Sequence, residues 1–180
     1  YFKGKKYELL EKVNSISDSI NSVKFKVIVD LIDLPIKEDM ISWKDLINND
    51  SSNIIFNQLP FNHPLFIMYS SGTTGKPKSI VHSAGGTLLQ HIKELKYHVN
   101  ISKKDKIFYY TTCGWMMWNW LVSALYFGST IVLYDGNPFY PKVSSLLKIV
   151  DSIQLTIFGT SAKYISYLES KKEIPRTIGK

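Results

Sequence analysis

Apolar and polar positions alternate along this chain at two periods, and the switches between them outline its elements. Over residues 7–22, Leu9, Leu10, Val13, Ile16 and Ile20 recur near a 3.6-residue period, which predicts a helix. Residues 25–29 alternate and then stay apolar, as a strand does. Ser42-Trp43-Lys44-Asp45 has the form of a capping box and opens a short helix through Ile47. Residues 48–53 are polar and read as a loop. The apolar run 65–69 predicts a buried strand, and 79–82 a return strand. Ser83-Ala84-Gly85-Gly86 opens a helix with Leu88, Leu89, Ile92, Leu95 and Val99 on its apolar face. Beyond it the pattern predicts a strand at 106–111, a helix at 118–127 stopped by Gly128, and a buried strand at 131–134. A turn at 137–141, a helix at 143–150, a strand at 155–158 and a helix at 161–168 complete the outline.

Strand and helix alternate repeatedly after residue 65. The expected fold class is therefore α/β, mostly parallel sheet layers flanked by helices. Ligands of such sheets bind beyond the carboxyl ends of the strands. Three segments fall there: residues 69–78, Cys113-Gly114-Trp115, and Gly159-Thr160-Ser161. There is no internal repeat and no low-complexity stretch.

Composition narrows the class. At 44% apolar and 21% charged residues the 180-residue chain reads as a globular protein with a real core. No apolar run approaches the roughly 20 residues a membrane span needs, so no membrane partner is expected. No N-terminal stretch has the make-up of a secretory signal. The single cysteine, Cys113, excludes an internal disulfide. The expected location is the cytoplasm. The net charge of +7 comes from lysines spread along the chain, as on solvated faces, so no nucleic acid is expected as partner, and a smaller anionic ligand fits. His63, His82, His91 and His98 lack metal-ligand spacing. His91 and His98 read as surface or half-buried, and His82 as a structural hydrogen bonder.

Candidate chemistry concentrates in Tyr69-Ser70-Ser71-Gly72-Thr73-Thr74-Gly75-Lys76-Pro77-Lys78. Two glycines allow a tight turn and close approach to a ligand. Four hydroxyls, backbone N–H groups and two lysines can converge on a polyphosphate. A Walker A loop would need glycine at position 70 and Ser or Thr after Lys76. The chain has Ser70 and Pro77, so the loop is of another kind. A second cluster, Thr111 to Trp120, holds three of the four tryptophans. Trp118, Leu121, Val122 and Leu125 follow helical spacing and are expected in the core. Trp115 and Met116 stand at the loop–helix junction, either as core packing or as the wall of a small apolar pocket.

The decamer matches all ten positions of [YF]-[ST]-S-G-[ST]-T-G-x-P-K. In this it resembles the adenylate-forming, AMP-forming acyl-CoA synthetases. Residues 114–119, 131–136 and 158–164 are more similar to the family's acetoacetate-activating members, since Met116-Met117-Trp118 departs from the Val-Thr-Gly of the acetate-activating ones. The resemblance implies ATP, Mg2+, CoA and acetoacetate as small-molecule partners, and acetoacetyl-CoA, AMP and pyrophosphate as products. It implies that Ser70, Ser71, Gly72, Thr73, Thr74, Gly75 and Lys78 clasp the nucleotide phosphates, Lys78 being the fixed lysine and Lys76 the variable one. Trp115, Met116, Gly159, Thr160 and Ser161 would line the acyl and adenylate pocket. It also implies that residues 1–180 are part of a large N-terminal domain, 1–60 an upstream α/β segment and 61–170 the segment with the phosphate signature. The family's adenylation lysine and C-terminal domain would then lie outside the chain, and these residues alone would not ligate. Open alternatives are a CoA ligase for another short acid, such as acetate or propionate, and a non-catalytic nucleotide-binding remnant.

Overall fold

The computed structural model describes residues 3–31, 35–48, 53–70, 75–173 and 175, in two units, Tyr1–Asn57 and Gln58–Lys180. In the first unit the expected helix forms as α1 (Leu10–Asp18), shorter than its pattern. Leu9 stands at its N-cap, where an aliphatic side chain accepts nothing from the first turn. β1 (Val27–Ile28) pairs in parallel with β2 (Ile41–Ser42). α2 (Trp43–Ile47) starts where the capping signal placed it, with Ser42 Oγ accepting from the Lys44 N–H at 3.2 Å. The Lys26 ammonium binds the Asp39 carboxylate and holds it below the usual carboxylate range.

In the second unit, β3 (Pro64–Ser70) and β4 (Lys78–Ser83) form an antiparallel hairpin. α3 (Ala84–Lys93) follows at once, its N-cap Ser83 accepting from the Gly86 N–H. It runs into a π-helical turn, Glu94–His98. Next come β5 (Lys106–Tyr109), α4 (Met116–Val122), a 3-10 turn (Ser123–Phe127), β6 (Thr130–Ile131), α5 (Ser145–Ser152), β7 (Ile157–Gly159) and α6 (Ala162–Ser170). β6, β5 and β7 make a parallel sheet in that spatial order, with β5 central.

The core lies on both faces of this sheet because successive strand residues point opposite ways. Ile107 of β5 joins Leu95, Ile101, Leu121 and Ala124 under α3 and α4. Its neighbour Phe108 joins Leu146, Tyr164 and Leu168 under α5 and α6. Burying one such aliphatic side chain contributes about 1.5–3 kcal/mol. Asp105 ties the sheet's entry together: it accepts from the Ser102 N–H and hydroxyl and from the Thr156 hydroxyl, and these bonds lower its carboxyl pKa.

Three expectations change. The run 65–69 is half of a two-stranded hairpin with one covered face. Phe66 and Met68 are half-buried, while Leu65, Ile67 and Tyr69 are exposed. The inward stripe of α3 is Thr87, His91 and Leu95, four residues apart, and Leu88 and Leu89 face out. After α4 the helix tightens to three residues per turn, so Leu121 and Ala124 go inside while Val122 and Leu125 stay exposed. Gly128 ends it in the left-handed conformation, φ 71°, as expected.

Candidate functional site

The β3–β4 hairpin presents the signature at its turn. Ser70 and Lys78 are register partners at the last rung, Met68 faces Ile80, and Phe66 faces His82. With a period of two, Ser70, Met68 and Phe66 share one face with Lys78, Ile80 and His82. Lys78 and Ser70 therefore stand where the chain leaves and re-enters the turn. Ser71, Gly72, Thr73 and Thr74 lie outside the described residues. Gly75 has φ +130°, and a Cβ added there would meet nothing within 4 Å. The glycine is required by the backbone, not by crowding.

α4 brings the second cluster to this face. Trp115 occupies the N-cap position in an extended conformation, and its N–H donates to the Thr112 carbonyl at 3.1 Å. Trp115 is 69% exposed and Met116 50%. Between α4 and the hairpin lies a cleft of about 510 Å³. The hairpin supplies Met68, Tyr69, Ser70, Pro77, Ile80 and His82, and the start of α4 supplies Gly114, Trp115 and Met116. The Asn119 side-chain amide donates to the Met68 thioether at 3.5 Å, fastening α4 to β3 below the cleft. A polar rim at Ser70 and an apolar body suit a ligand with one anionic end and one small organic end.

Gly159, Thr160 and Ser161 follow β7 and are not in the lining of that cleft. Helices α4 and α6 leave β5 and β7, adjacent strands, toward opposite faces of the sheet. That is the crevice where open α/β sheets bind ligands. The Tyr110 N–H donates to the Gly159 carbonyl at 3.0 Å, closing its floor. The Tyr109 ring packs so tightly on Gly159 that a Cβ would meet it at 2.2 Å. Ser161 caps α6, accepting from the Tyr164 N–H at 3.2 Å. The Thr160 hydroxyl oxygen is buried with no hydrogen-bond partner among the described residues, a group that a ligand would satisfy. A second cavity of about 330 Å³ opens at the carboxyl ends of β5 and β6, lined by Tyr110 to Cys113 and Leu133 to Gly136.

Two histidines differ from expectation. His91, expected at the surface or half-buried, is buried, and its Nδ1 lies 2.8 Å from Ser123 Oγ. Its position one turn before Leu95 carries it inside. Burial, and secondarily His82, lower its pKa. His82, expected to be a structural hydrogen bonder, makes no hydrogen bond among the described residues and lines the cleft instead. A period of two links His82 through Ile80 to Lys78 once Lys78 belongs to the strand and not to the loop. Among the described residues, no group of three or more His, Cys, Asp or Glu could hold a metal ion. No helix there is long and apolar enough to cross a membrane.

The family model for AMP-binding enzymes matches residues 3–177. The chain is 43% identical to an acetoacetyl-CoA synthetase of Danio rerio, an alignment covering 97% of this chain and 28% of that protein. It is 39% identical to a malonamoyl-CoA synthetase of Penicillium aethiopicum, over 98% of this chain and 27% of that one. Its structure is similar to that of the acetoacetyl-CoA synthetase from Streptomyces lividans, with a TM-score of 0.91, 37% identity and coverage of 98% of this chain and 27% of the other. The chain thus spans a little over a quarter of the length of these relatives.

Proposed function

The chain belongs to the AMP-binding enzyme family, and we propose that it forms the phosphate-clasping and acyl-facing part of a ligase that activates acetoacetate with MgATP and passes the acyl group to CoA. In the first half-reaction a carboxylate oxygen attacks the α-phosphorus, the bond from that phosphorus to the α,β-bridging oxygen breaks, and pyrophosphate leaves. In the second, the CoA thiolate attacks the acyl carbon and AMP leaves. Magnesium enters with the nucleotide.

In this reading the protein's task is positioning and charge neutralisation. Ser70, Gly75 and Lys78, with the intervening Ser71, Gly72, Thr73 and Thr74, hold the β- and γ-phosphates. Trp115 and Met116 seat the acyl group. Gly159, Thr160 and Ser161 face the adenylate, the Thr160 hydroxyl finding there the partner it otherwise lacks. Residues 61–170 are the segment that carries the phosphate signature, and 1–60 the upstream α/β segment. The proposed location of the reaction is the cytoplasm.

One observation carries the reading: the cleft that puts Ser70, at the mouth of the phosphate turn, against Trp115 and Met116. Acetoacetyl and malonamoyl groups, named for two relatives, both have a carbonyl one methylene away from the activated carbon. That shared chemistry favours a β-carbonyl acid over acetate or propionate. The test is ATP–pyrophosphate exchange by the full-length protein across a panel of acids. Acetoacetate is expected to support the fastest exchange, and a clear preference for acetate would overturn the choice of acid.

A further inference from the structure

We propose that His82 is the substrate-contacting residue that donates a hydrogen bond to the β-carbonyl oxygen of the acid and so selects β-carbonyl acids over plain aliphatic ones. This rests on the function proposed above and assigns a role within it.

On β4, Lys78, Ile80 and His82 point to one face, with the partners Ser70, Met68 and Phe66 beside them. Four residues of strand put Lys78 and His82 roughly 13 Å apart. Phosphate-binding chemistry occupies the loop end of this face, and the imidazole stands at the other end. Between them the cleft walls are Met68, Ile80 and Met116, which give a methylene or methyl group apolar contact and a carbonyl oxygen nothing. His82 is half-buried in that wall and has no hydrogen-bond partner among the described residues. Its ring nitrogens keep contact with solvent, unlike the buried Thr160 hydroxyl, so they are open to a ligand acceptor that enters the cleft. The other polar lining residues do not compete. Ser70 belongs to the phosphate end, and Tyr69 and Trp115 are largely exposed at the rim. A bound acid that displaces water from the imidazole without replacing its hydrogen bond leaves it unpaired, so an analogue lacking the acceptor is rejected.

Acetoacetate and butyrate test this, since they differ at the β-carbon, a carbonyl in one and a methylene in the other. Their kcat/KM values are compared by pyrophosphate exchange in the full-length protein and in His82→Ala and His82→Gln. Wild type is expected to prefer acetoacetate. His82→Ala should lower the acetoacetate-to-butyrate ratio roughly tenfold, and His82→Gln, which keeps a donor, should retain part of it. MgATP binding by each variant reports on folding. A ratio unchanged in a His82→Ala protein that still binds MgATP overturns the assignment and leaves the proposed function standing. A wild type inactive with acetoacetate overturns both.

Discussion

Ser70 and Lys78 face each other across the last rung of the β3–β4 hairpin. The strand pairing, not the loop, fixes where the ammonium group begins. Lys76 has no such rung. Lys78→Met is therefore expected to slow pyrophosphate exchange about 100-fold or more, the usual effect of removing a group that stabilises transition-state charge. Lys76→Met should change it by less than about fivefold, as for an exposed charge. Steady-state rates of the two variants at saturating MgATP check this. Equal effects would remove the distinction between them.

Two glycines near the site should fail for different reasons. At Gly75 an added Cβ meets open space, but φ +130° strains any L side chain. Gly75→Ala should strain the backbone beside the turn, at a cost of order 1–3 kcal/mol, and raise KM for MgATP. At Gly159 the added Cβ lands 2.2 Å from the Tyr109 ring, and that ring packs edge-on against Trp120. Gly159→Ala should destabilise the protein by about 1–3 kcal/mol, as overpacking does. Thermal melts and nucleotide titrations on both variants separate the two mechanisms.

The buried His91 makes stability depend on pH. Its folded pKa lies below the ordinary 6.5, chiefly because burial disfavours the imidazolium. The unfolded chain then binds more protons than the folded one below pH 6.5. Stability should be full above that value and decline as pH falls toward the lowered folded pKa. His91→Gln, which keeps a hydrogen bond to Ser123 within reach, should flatten the slope. Melting temperatures from pH 5 to pH 8 give the answer, and a slope unchanged by the substitution would place its cause elsewhere.

Tyr164 titrates at the other extreme. It is 1% exposed, its hydroxyl donates to the Val143 carbonyl at 2.7 Å, and its pKa is pushed up to about 12, mainly by burial. The folded state keeps this proton more tightly than the unfolded one. The corresponding stability is present below pH 10 and is lost as pH rises toward 12. Tyr164→Phe should cost about 1–3 kcal/mol, because the Val143 carbonyl loses its donor. Denaturant melts of the variant and tyrosinate absorbance of the parent measure the two effects.

Much of this was legible in the sequence where one local signal sufficed. The Ser42 and Ser83 caps, the Gly128 stop and the positions of α5 and α6 needed only spacing and end chemistry. The decamer falls at the β3–β4 turn, and Trp115 with Met116, for which the sequence leaves core packing and a pocket wall open, line the cleft. What was hidden depends on partners distant in sequence. The run 65–69 looks the same whether it lies inside a sheet or pairs once, and only its hairpin with β4 leaves Ile67 and Tyr69 exposed. The tightening of α4 into a 3-10 turn exchanges Leu125 for Ala124 in the core, which a regular 3.6 period cannot show. His82 required the register of β4, and the unpaired Thr160 hydroxyl required the parallel pairing of β5 with β7.

The central claim, that this cleft supports adenylation of a β-carbonyl acid, is tested most directly by a single turnover without CoA. The full-length protein is mixed with acetoacetate and ATP labelled at the α-phosphate, quenched, and its products separated. The account predicts labelled acetoacetyl-adenylate and AMP, formed only when the acid is present and lost with Lys78→Met. Labelled ADP in place of AMP, or label released independently of the acid, would contradict it.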